Sequence, residues 1–348
     1  MASSITPTPV DPDAPAELRP FPQLAGLKAQ PSPRARETYA RAMNNPRAFW
    51  LTNRRYIRAL ATIPAPDLSV VGRRVVSDLV TNGIAIATFD EFFPGRFFQD
   101  INDRFYQYLD KFHRIPSPGA GGGKDVFLET IHKGHTLRAD EVVTNYLVDA
   151  GISAVAAHYF GMVPRYVGSS FWRNRPATGA DRLYSQLWHR DYNDRMLMKT
   201  FLYITDVGRS EGYFEYLTGS HESGPLGTRF DRIGTDGFRA YPDSGEVEAL
   251  LAPLPVYELD TVSADRHSGA AAPWHGQPAV VRCIGPKGSL IFADTYGLHR
   301  GGFVEQGHRD MIMNTWSTNA NVHKPHYVVT KAYAETLSPF FRLALGID

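Results

Sequence analysis

The amino-acid sequence predicts a mixed, mainly β domain with helices in its first third and one helix at its end. From Arg165 onward, short runs of aromatic and β-branched residues alternate with Gly, Pro, Asn and Asp turns, a texture typical of a β-sandwich or barrel. Before that point, longer stretches follow helical spacing. Since no internal repeat divides the chain, we expect one domain over residues 36–348.

The front of the chain is predicted to begin with an arm and to continue in helices. Residues 1–35 carry many prolines, which suppress helices and central strands alike. The predicted elements that follow are helices at 34–43, 53–61 and 67–81 (after an Asp cap), a strand at 83–89, and helices at 95–112 and 141–160, the last ending at Gly161.

The remainder is predicted to form the β part of the domain. The strand-like runs are 165–173, 182–191, 196–206, 213–217, 279–284, 288–292 and 309–318, and 331–345 is predicted as a closing helix. Residues 221–278 interrupt the strands with a stretch rich in Gly, Pro, Ser and Asp and a short helical pattern at 246–251. Because long loops in compact domains are usually functional or disordered, this insertion is either a lid over a site or a surface loop.

Composition limits the classes of partner. The 37 basic and 36 acidic side chains give a net charge of +1, so no charge field would gather nucleic acid or an acidic membrane. We therefore expect a small-molecule partner, with a homo-oligomer allowed. With one cysteine, Cys283, no signal-peptide pattern and no apolar run near the length of a membrane span, we expect a cytoplasmic protein.

A candidate metal site lies in the run Ser-Gln-Leu-Trp-His-Arg-Asp, residues 185–191. In an extended strand, residues two apart share a face about 7 Å apart, so His189 and Asp191 can bind one metal ion. His299, after the strand at 288–292, is the best third ligand. Two histidines and one carboxylate leave open positions, as in non-haem Fe(II) oxygenases. A second His-Arg-Asp, at 308–310, has almost no strand left after it to supply a distal ligand.

Arg309 is the candidate anchor for a cosubstrate. It lies ten residues after His299, and strand alternation places it on an inward apolar face with Met311 and Met313, while Asp310 faces the other way. A 2-oxo acid such as 2-oxoglutarate needs a cation for its far carboxylate, and a guanidinium can bind both oxygens. The alternative is a structural pair between Arg309 and an Asp or Glu.

Together these residues resemble the phytanoyl-CoA hydroxylase-like (phytanoyl-CoA dioxygenase) branch of the Fe(II)/2-oxoglutarate dioxygenases. The resemblance rests on Trp-His-Arg-Asp (188–191), Phe-Leu-Tyr-Ile-Thr-Asp (201–206), Glu-Gly-Tyr-Phe-Glu-Tyr-Leu-Thr-Gly-Ser-His (211–221), Gly-Ser-Leu-Ile-Phe (288–292), His-Arg-Gly-Gly (299–302) and Arg309. It implies a double-stranded β-helix, a cupin-like jelly roll, with His189, Asp191 and His299 as iron ligands. Members often carry a hydroxyl residue two positions after the distal histidine, where this chain has Gly301.

The resemblance also implies the reaction. We expect an oxygenase that uses Fe(II), O₂ and 2-oxoglutarate to hydroxylate a small organic molecule, or to oxidise it in another way by hydrogen abstraction, with release of succinate and CO₂. A tailoring step of specialised metabolism fits this class. The alternatives are a cupin-like protein doing non-oxidative chemistry with zinc or manganese, and an idle jelly roll that binds a ligand.

Three residues near the ligand strand are candidates for the substrate pocket: Trp172, Arg173 and Tyr184. Trp188 points away from His189 by alternation, so we expect it to pack in the core. We expect His221 to fix a turn and Cys283 to act as a small buried hydrophobe.

Overall fold

The computed structural model describes most of the chain from residue 45 onward. The described ranges are 45–96, 98–112, 127–176, 182–191, 193–227, 244–260, 274–321, 323 and 325–347. The predicted arm at 1–35 and the predicted helix at 34–43 lie outside these ranges, as do parts of the insertion.

The described residues form the expected mixture of strands and helices. The helices are α1 (Pro46–Ala59), α2 (Val70–Asn82), α3 (Phe89–Phe92), α4 (Phe98–Phe112), α5 (Val142–Leu147), α6 (Ala150–Phe160), α7 (Ser244–Leu251), α8 (Lys331–Thr336) and α9 (Pro339–Ala344). The strands are β1 (Ile84–Thr88), β2 (Leu128–Lys133), β3 (His135–Leu137), β4 (Arg165–Asn174), β5 (Leu197–Tyr203), β6 (Phe214–Leu217), β7 (Val256–Asp260), β8 (Val280–Ile284), β9 (Ser289–Asp294), β10 (His299–Gly301), β11 (Arg309–Ser317) and β12 (Tyr327–Val329).

Two sheets enclose one apolar layer. The larger sheet has the strand order β1-β9-β5-β11-β4-β2 and the smaller has the order β10-β6-β8-β7. The side chains of one buried cluster come from both sheets, including Phe201 and Met311 from the larger and Phe214 and Val281 from the smaller. Alternate residues of the larger sheet, such as Phe171 and Ile312, instead pack against the helices. The period of two along each strand therefore separates an inner from an outer core.

The helical layer is joined to the larger sheet at a tight turn. Ser69 caps α2 by accepting a hydrogen bond from the Gly72 amide, and the helix ends at Gly83, whose φ is 78°. Strand β1 begins at the next residue and pairs with β9. A glycine is needed at this turn because a Cβ at position 83 would lie 2.7 Å from Nδ1 of His221.

Two helices predicted as continuous are each divided in two. The 141–160 helix breaks where Asp149 accepts hydrogen bonds from the amides of Gly151 and Ile152 and so begins α6. The 331–345 helix breaks where Ser338 caps α9 and Pro339 occupies its first turn. In both places a local capping residue overrides the longer apolar periodicity.

The predicted strand at 182–191 is wrong over most of its length. Residues Tyr184–Gln186 form a 3₁₀ helix, and Tyr184 has a φ of 49°. The side chain of Gln186 accepts a hydrogen bond from the Leu183 amide, which closes this turn. Extended pairing begins at His189, opposite His299. The apolar residues of the segment predicted a strand, whereas the backbone forms a turn that is stabilised by a hydrogen bond of the Gln186 side chain.

The described parts of the insertion extend the smaller sheet. Strand β7 runs parallel to β8 at its edge. Helix α7 contributes Val247 and Leu251 to a separate apolar cluster with Trp188, Leu217 and Leu298. These contacts lie on the side of the smaller sheet that faces away from the inner core. The rest of the insertion, at 228–243 and 261–273, lies outside the described residues, and the lid over a site stays a prediction.

Candidate metal centre

His189, Asp191 and His299 come together at one end of the inner core. Each offers one ligand atom, and these atoms all lie within 4.8 Å of one another. The backbones of His189 and His299 exchange two hydrogen bonds of 2.9 Å, His189 N to His299 O and the reverse. The centroids of the two imidazole rings are 4.2 Å apart. Backbone pairing between distant segments therefore sets the distance between the two imidazoles.

Both histidines have the same hydrogen-bonding arrangement at Nδ1. Nδ1 of His189 lies 2.8 Å from the carbonyl oxygen of Leu187, and Nδ1 of His299 lies 2.9 Å from that of Gly297. A carbonyl can only accept, so each Nδ1 carries the proton and each Nε2 lone pair is available. Burial, reinforced by the neighbouring His189, lowers the pKa of His299 to about 3. The imidazole is therefore in the neutral form that binds metal ions.

The third candidate ligand, Asp191, is partly buried and bonded to a lysine. Its Oδ2 lies 2.6 Å from Nζ of Lys199 and 3.8 Å from Nε2 of His299. Burial by itself would raise the pKa of the Asp191 carboxyl, but the Lys199 ammonium outweighs it and holds that pKa below its ordinary value. The carboxylate is therefore ionised. Its backbone amide donates to the Thr295 carbonyl over 2.8 Å, which ties it to the turn before His299.

That turn, between β9 and β10, is held by the buried carboxylate of Asp294. Oδ2 accepts a hydrogen bond from the Tyr159 hydroxyl at 2.6 Å. Oδ1 accepts hydrogen bonds from the amides of Tyr296 and Leu197. The Asp294 carbonyl accepts from the Tyr216 hydroxyl at 2.9 Å. Asp294 thereby fixes the path of the chain that leads to His299, and burial raises the pKa of its carboxyl.

Arg309 begins β11 on the inner face, and its side chain is 2 % exposed. Its Nη1 donates to the carbonyl of Gly212, and the Tyr203 hydroxyl is also a partner. Its Nε has no hydrogen-bond partner among the described residues. Burial lowers the pKa of the guanidinium, and no carboxylate of the described ranges lies within ion-pair distance of it. The alternative of a structural pair with an Asp or Glu has no support among these residues.

Arg309 and the candidate ligands are linked through β10. A Cβ at Gly301 would lie 3.8 Å from Nη2 of Arg309, and Gly301 is two residues along β10 from His299. Two residues of a strand span about 7 Å. The Arg309 guanidinium therefore lies beside β10 about two residues along the strand from His299.

The three predicted pocket residues take different positions. Trp172 pairs with Met311 and packs against the inner core. Tyr184 is 44 % exposed, in the 3₁₀ helix that contacts β10. Arg173 lies on the outer face, where its Nε and Nη2 donate to Oδ1 and Oδ2 of Asp310 at 2.7 and 2.6 Å. The structure thus brings Trp172 and the Tyr184 turn toward the centre and directs Arg173 away from it.

Two smaller expectations are confirmed. Trp188 packs with Leu298 on the outer side of the smaller sheet, and Cys283 is buried in the inner core. His221, predicted to fix a turn, bonds instead to the Val80 carbonyl of helix α2 over 3.1 Å. The second His-Arg-Asp copy supplies no metal site in the described residues, because its Asp310 is bonded to Arg173.

Two residues of the centre were missed. Lys199 alternates with Phe201 and Tyr203 along β5, so the sequence already placed a lysine among inward apolar residues. For Asp294 no comparable signal existed, because its main partner, Tyr159, is 135 residues away.

The described fold and site define a mainly β protein with a candidate centre of two histidines and one carboxylate. No protein-family model and no curated protein matches the chain. Solved structures similar to it include the non-heme α-ketoglutarate-dependent epimerase SnoN from nogalamycin biosynthesis, with 12 % identity over 71 % of this chain and 83 % of that chain and a TM-score of 0.43. The carbocyclase SnoK from the same biosynthesis has 15 % identity, coverage of 72 % and 84 %, and a TM-score of 0.45. EctD from S. alaskensis with bound Fe has 15 % identity, coverage of 80 % and 86 %, and a TM-score of 0.44.

At these identities and TM-scores, the likeness carries no inference about reaction or substrate. The resemblance to the phytanoyl-CoA hydroxylase-like branch stays a prediction. None of the helices in the described ranges combines the length and the hydropathy that a bilayer span requires.

Proposed function

We propose that the protein is an Fe(II)- and 2-oxoglutarate-dependent oxygenase that acts on a small organic molecule, and that its two facing sheets form a jelly roll. One observation carries the proposal: a buried guanidinium without a carboxylate partner in the described chain lies beside Gly301 of β10, two residues from His299, one of the three candidate metal ligands. Uncompensated charge is rarely buried, and a dicarboxylic cosubstrate would supply the missing counter-charge.

The donor set supports iron. His189 and His299 offer neutral Nε2 atoms and Asp191 offers an ionised oxygen, which is the combination of two histidines and a carboxylate found in non-haem Fe(II) oxygenases. Three protein ligands leave positions for a chelating 2-oxo acid and for O₂. When bound, the metal and cosubstrate would supply the oxidising power to remove hydrogen from a C–H bond, with succinate and CO₂ as co-products.

The chain's own residues have distinct parts in this proposal. Arg309 binds the far carboxylate of 2-oxoglutarate through the nitrogens that have no carboxylate partner. Aromatic side chains of the inner core, including Phe201 and Phe214 at a centroid distance of 4.8 Å, exclude water from the metal. Trp172 and Tyr184 line the approach of the substrate. Arg173 is not part of the proposed pocket, because its Nε and Nη2 are both bonded to Asp310.

A non-oxidative zinc or manganese protein would use the same three ligands but would leave Arg309 without a purpose. An idle jelly roll would have no reason to keep two imidazoles in the metal-binding tautomer. We therefore keep the oxygenase as the proposed function, with hydroxylation, desaturation and ring closure as outcomes of one hydrogen abstraction. A tailoring reaction of specialised metabolism remains part of the proposal.

The test is spectroscopic. Protein purified without oxygen is mixed with Fe(II) and 2-oxoglutarate, and the visible metal-to-ligand charge-transfer band of the chelate is recorded for wild type and Arg309→Ala. We expect a band that requires iron and weakens in the variant. Absence of the band together with tight zinc binding would refute the oxygenase.

A second variant tests the carboxylate. Asp191→Ala should abolish succinate formation in air while the circular dichroism spectrum stays unchanged. Asp191→Asn is the matched control, because it keeps the side-chain volume beside Lys199. Unchanged succinate formation in either variant would remove Asp191 from the site.

A further inference from the structure

Lys199 is a cation on the inner face of β5, beside the candidate ligands. Its cross-strand partner on β11 is Thr315, and the next inward residues of β5 are Phe201 and Tyr203. Both aromatic residues belong to the inner core. The side chain of Lys199 is 16 % exposed. It is therefore a mostly buried charge in an apolar wall, and such a charge needs a counter-ion.

The counter-ion of Lys199 is the ligand oxygen itself. Nζ lies 2.6 Å from Oδ2 of Asp191, and this is the oxygen that lies 3.8 Å from Nε2 of His299. In the neutral form of both imidazoles, which metal binding requires, Lys199 and Asp191 give the cluster a net charge of zero. A divalent ion held by the same three ligands would raise this charge to +2.

We propose that Lys199 couples metal binding to the binding of a dianionic ligand, by opposing the metal alone and favouring the metal together with the dianion. Addition of a dianion such as 2-oxoglutarate returns the net charge of the cluster to zero. The ammonium, displaced from Oδ2 by the metal, then has the dianion as its partner. This inference rests on the proposed function, because it takes the three ligands and the dicarboxylate from it.

Removal of the positive charge of Lys199 should have opposite effects on the binding of the metal and of the dianion. In Lys199→Met the cluster has a charge of −1, which becomes +1 with a divalent ion and −1 again with the dianion. The metal therefore binds a site of opposite charge and no longer meets an ammonium. The dianion, in turn, meets one positive charge fewer. By linkage, the affinity for each ligand depends on the other and both depend on Lys199.

The experiment uses Mn²⁺ as a redox-silent probe of the full-length protein. The dissociation constant of Mn²⁺ is measured by electron paramagnetic resonance, and that of 2-oxoglutarate is measured on the Mn²⁺-loaded protein by calorimetry. For Lys199→Met we expect Mn²⁺ to bind about tenfold more tightly and 2-oxoglutarate about tenfold more weakly than in wild type. Lys199→Arg keeps the charge and should keep both constants within about threefold of wild type.

The opposite signs separate coupling from structural damage, because a distorted site would weaken both ligands together. Lys199→Met overturns the inference if both constants rise or neither changes. Should it fail to fold by circular dichroism, Lys199→Gln is measured in its place and judged in the same way.

The same measurements on wild-type protein distinguish failure of the proposed function from failure of the coupling by Lys199. If wild-type protein does not bind Mn²⁺, or binds it equally well after His189→Ala, both the metal site and the coupling are refuted. If wild type binds Mn²⁺ but not 2-oxoglutarate, the cosubstrate and the coupling to it are refuted while the metal site stands.

Discussion

Two arginines on neighbouring strands should respond in opposite ways to the same substitution. Arg309 and Arg173 each become methionine, which keeps a long side chain and removes the charge. Arg173 is bonded through two nitrogens to the fully buried Asp310. Arg309 is more deeply buried, at 2 % exposure against 15 % for the Arg173 side chain, but among the described residues it has only a carbonyl and a hydroxyl as partners. The pair therefore compares a structural guanidinium with one held for a ligand.

The magnitudes follow from what each substitution leaves behind. Arg173→Met breaks an ion pair of two hydrogen bonds to the fully buried carboxylate of Asp310, which costs about 3–5 kcal/mol. With an unfolding entropy of about 2.1 cal/mol/K per residue for 348 residues, the melting temperature should fall by about 4–7 °C. Arg309→Met removes a buried charge together with its hydrogen bonds to the Gly212 carbonyl and the Tyr203 hydroxyl, so the free energy of unfolding should change by about 1 kcal/mol or less.

The affinity for 2-oxoglutarate should be affected in the reverse order, more by Arg309→Met than by Arg173→Met. Arg309→Met should weaken 2-oxoglutarate binding to the Mn²⁺-loaded protein at least about thirtyfold, since a charge-assisted pair inside a protein is lost. Arg173→Met should bind it as wild type does. Thermal denaturation and calorimetry measure the two effects. Equal loss of stability in both variants, with equal affinity for 2-oxoglutarate, would refute the distinction between the two arginines.

Three further predictions concern the turn, a buried acid and the arginine anchor, Arg309. Gly83→Ala should lower the free energy of unfolding by about 2–4 kcal/mol, because its φ is 78° and its Cβ would crowd His221. Burial raises the pKa of the Asp194 carboxyl to about 7, which exceeds its pKa in the unfolded chain. The free energy of unfolding of the wild type should therefore fall as pH rises from about 4 to 7, by up to about 4 kcal/mol relative to Asp194→Asn. Gly301→Ser should strengthen 2-oxoglutarate binding about three- to tenfold, because its Cβ would lie 3.8 Å from Nη2 of the anchor.

Each of these has a control or a contrary result. Gly95→Ala has the same φ of 78° with no atom of the described chain within 4 Å of its Cβ, so it should cost only about 1–2 kcal/mol. Equal losses in the two variants would contradict the crowding. Parallel curves of unfolding free energy against pH for wild type and Asp194→Asn would contradict the raised pKa. Weaker 2-oxoglutarate binding in Gly301→Ser would show that the hydroxyl blocks the cosubstrate rather than holding it.

The sequence predicted most of the strands and brought forward two of the three candidate ligands, His189 and Asp191, because both depend on local patterns. Inward and outward residues of β11 could be separated by alternation alone, which put Arg309 with Met311 and Met313. His189 and Asp191 needed only the two-residue spacing of an extended chain. His299 needed a resemblance or a search for a partner strand, since nothing local joins it to residue 189.

Long-range partners explain what the sequence did not predict. Arg173 has the same residue type and strand environment as a pocket arginine, and only the register of β4 with β11, which pairs it with Asp310, reveals its structural use. The break at Asp149 and the turn at Tyr184 each depend on the hydrogen bonds of one side chain, Asp149 and Gln186, which periodicity does not detect. Lys199 was visible in the alternation of β5, but its importance depends on a contact with Asp191 across a turn.

The carbonyl oxygens of Leu187 and Gly297 have a consequence for protein engineering. The proton on each Nδ1 is fixed by main-chain oxygens, so no side-chain exchange at either position removes the acceptor. Alanine scanning around the centre will therefore leave the imidazole tautomers intact and will not detect what sets them. Replacement of residue 188 or 298 by the corresponding α-hydroxy acid would turn the preceding carbonyl into a weaker ester acceptor, and metal affinity would then report how much the chain path contributes.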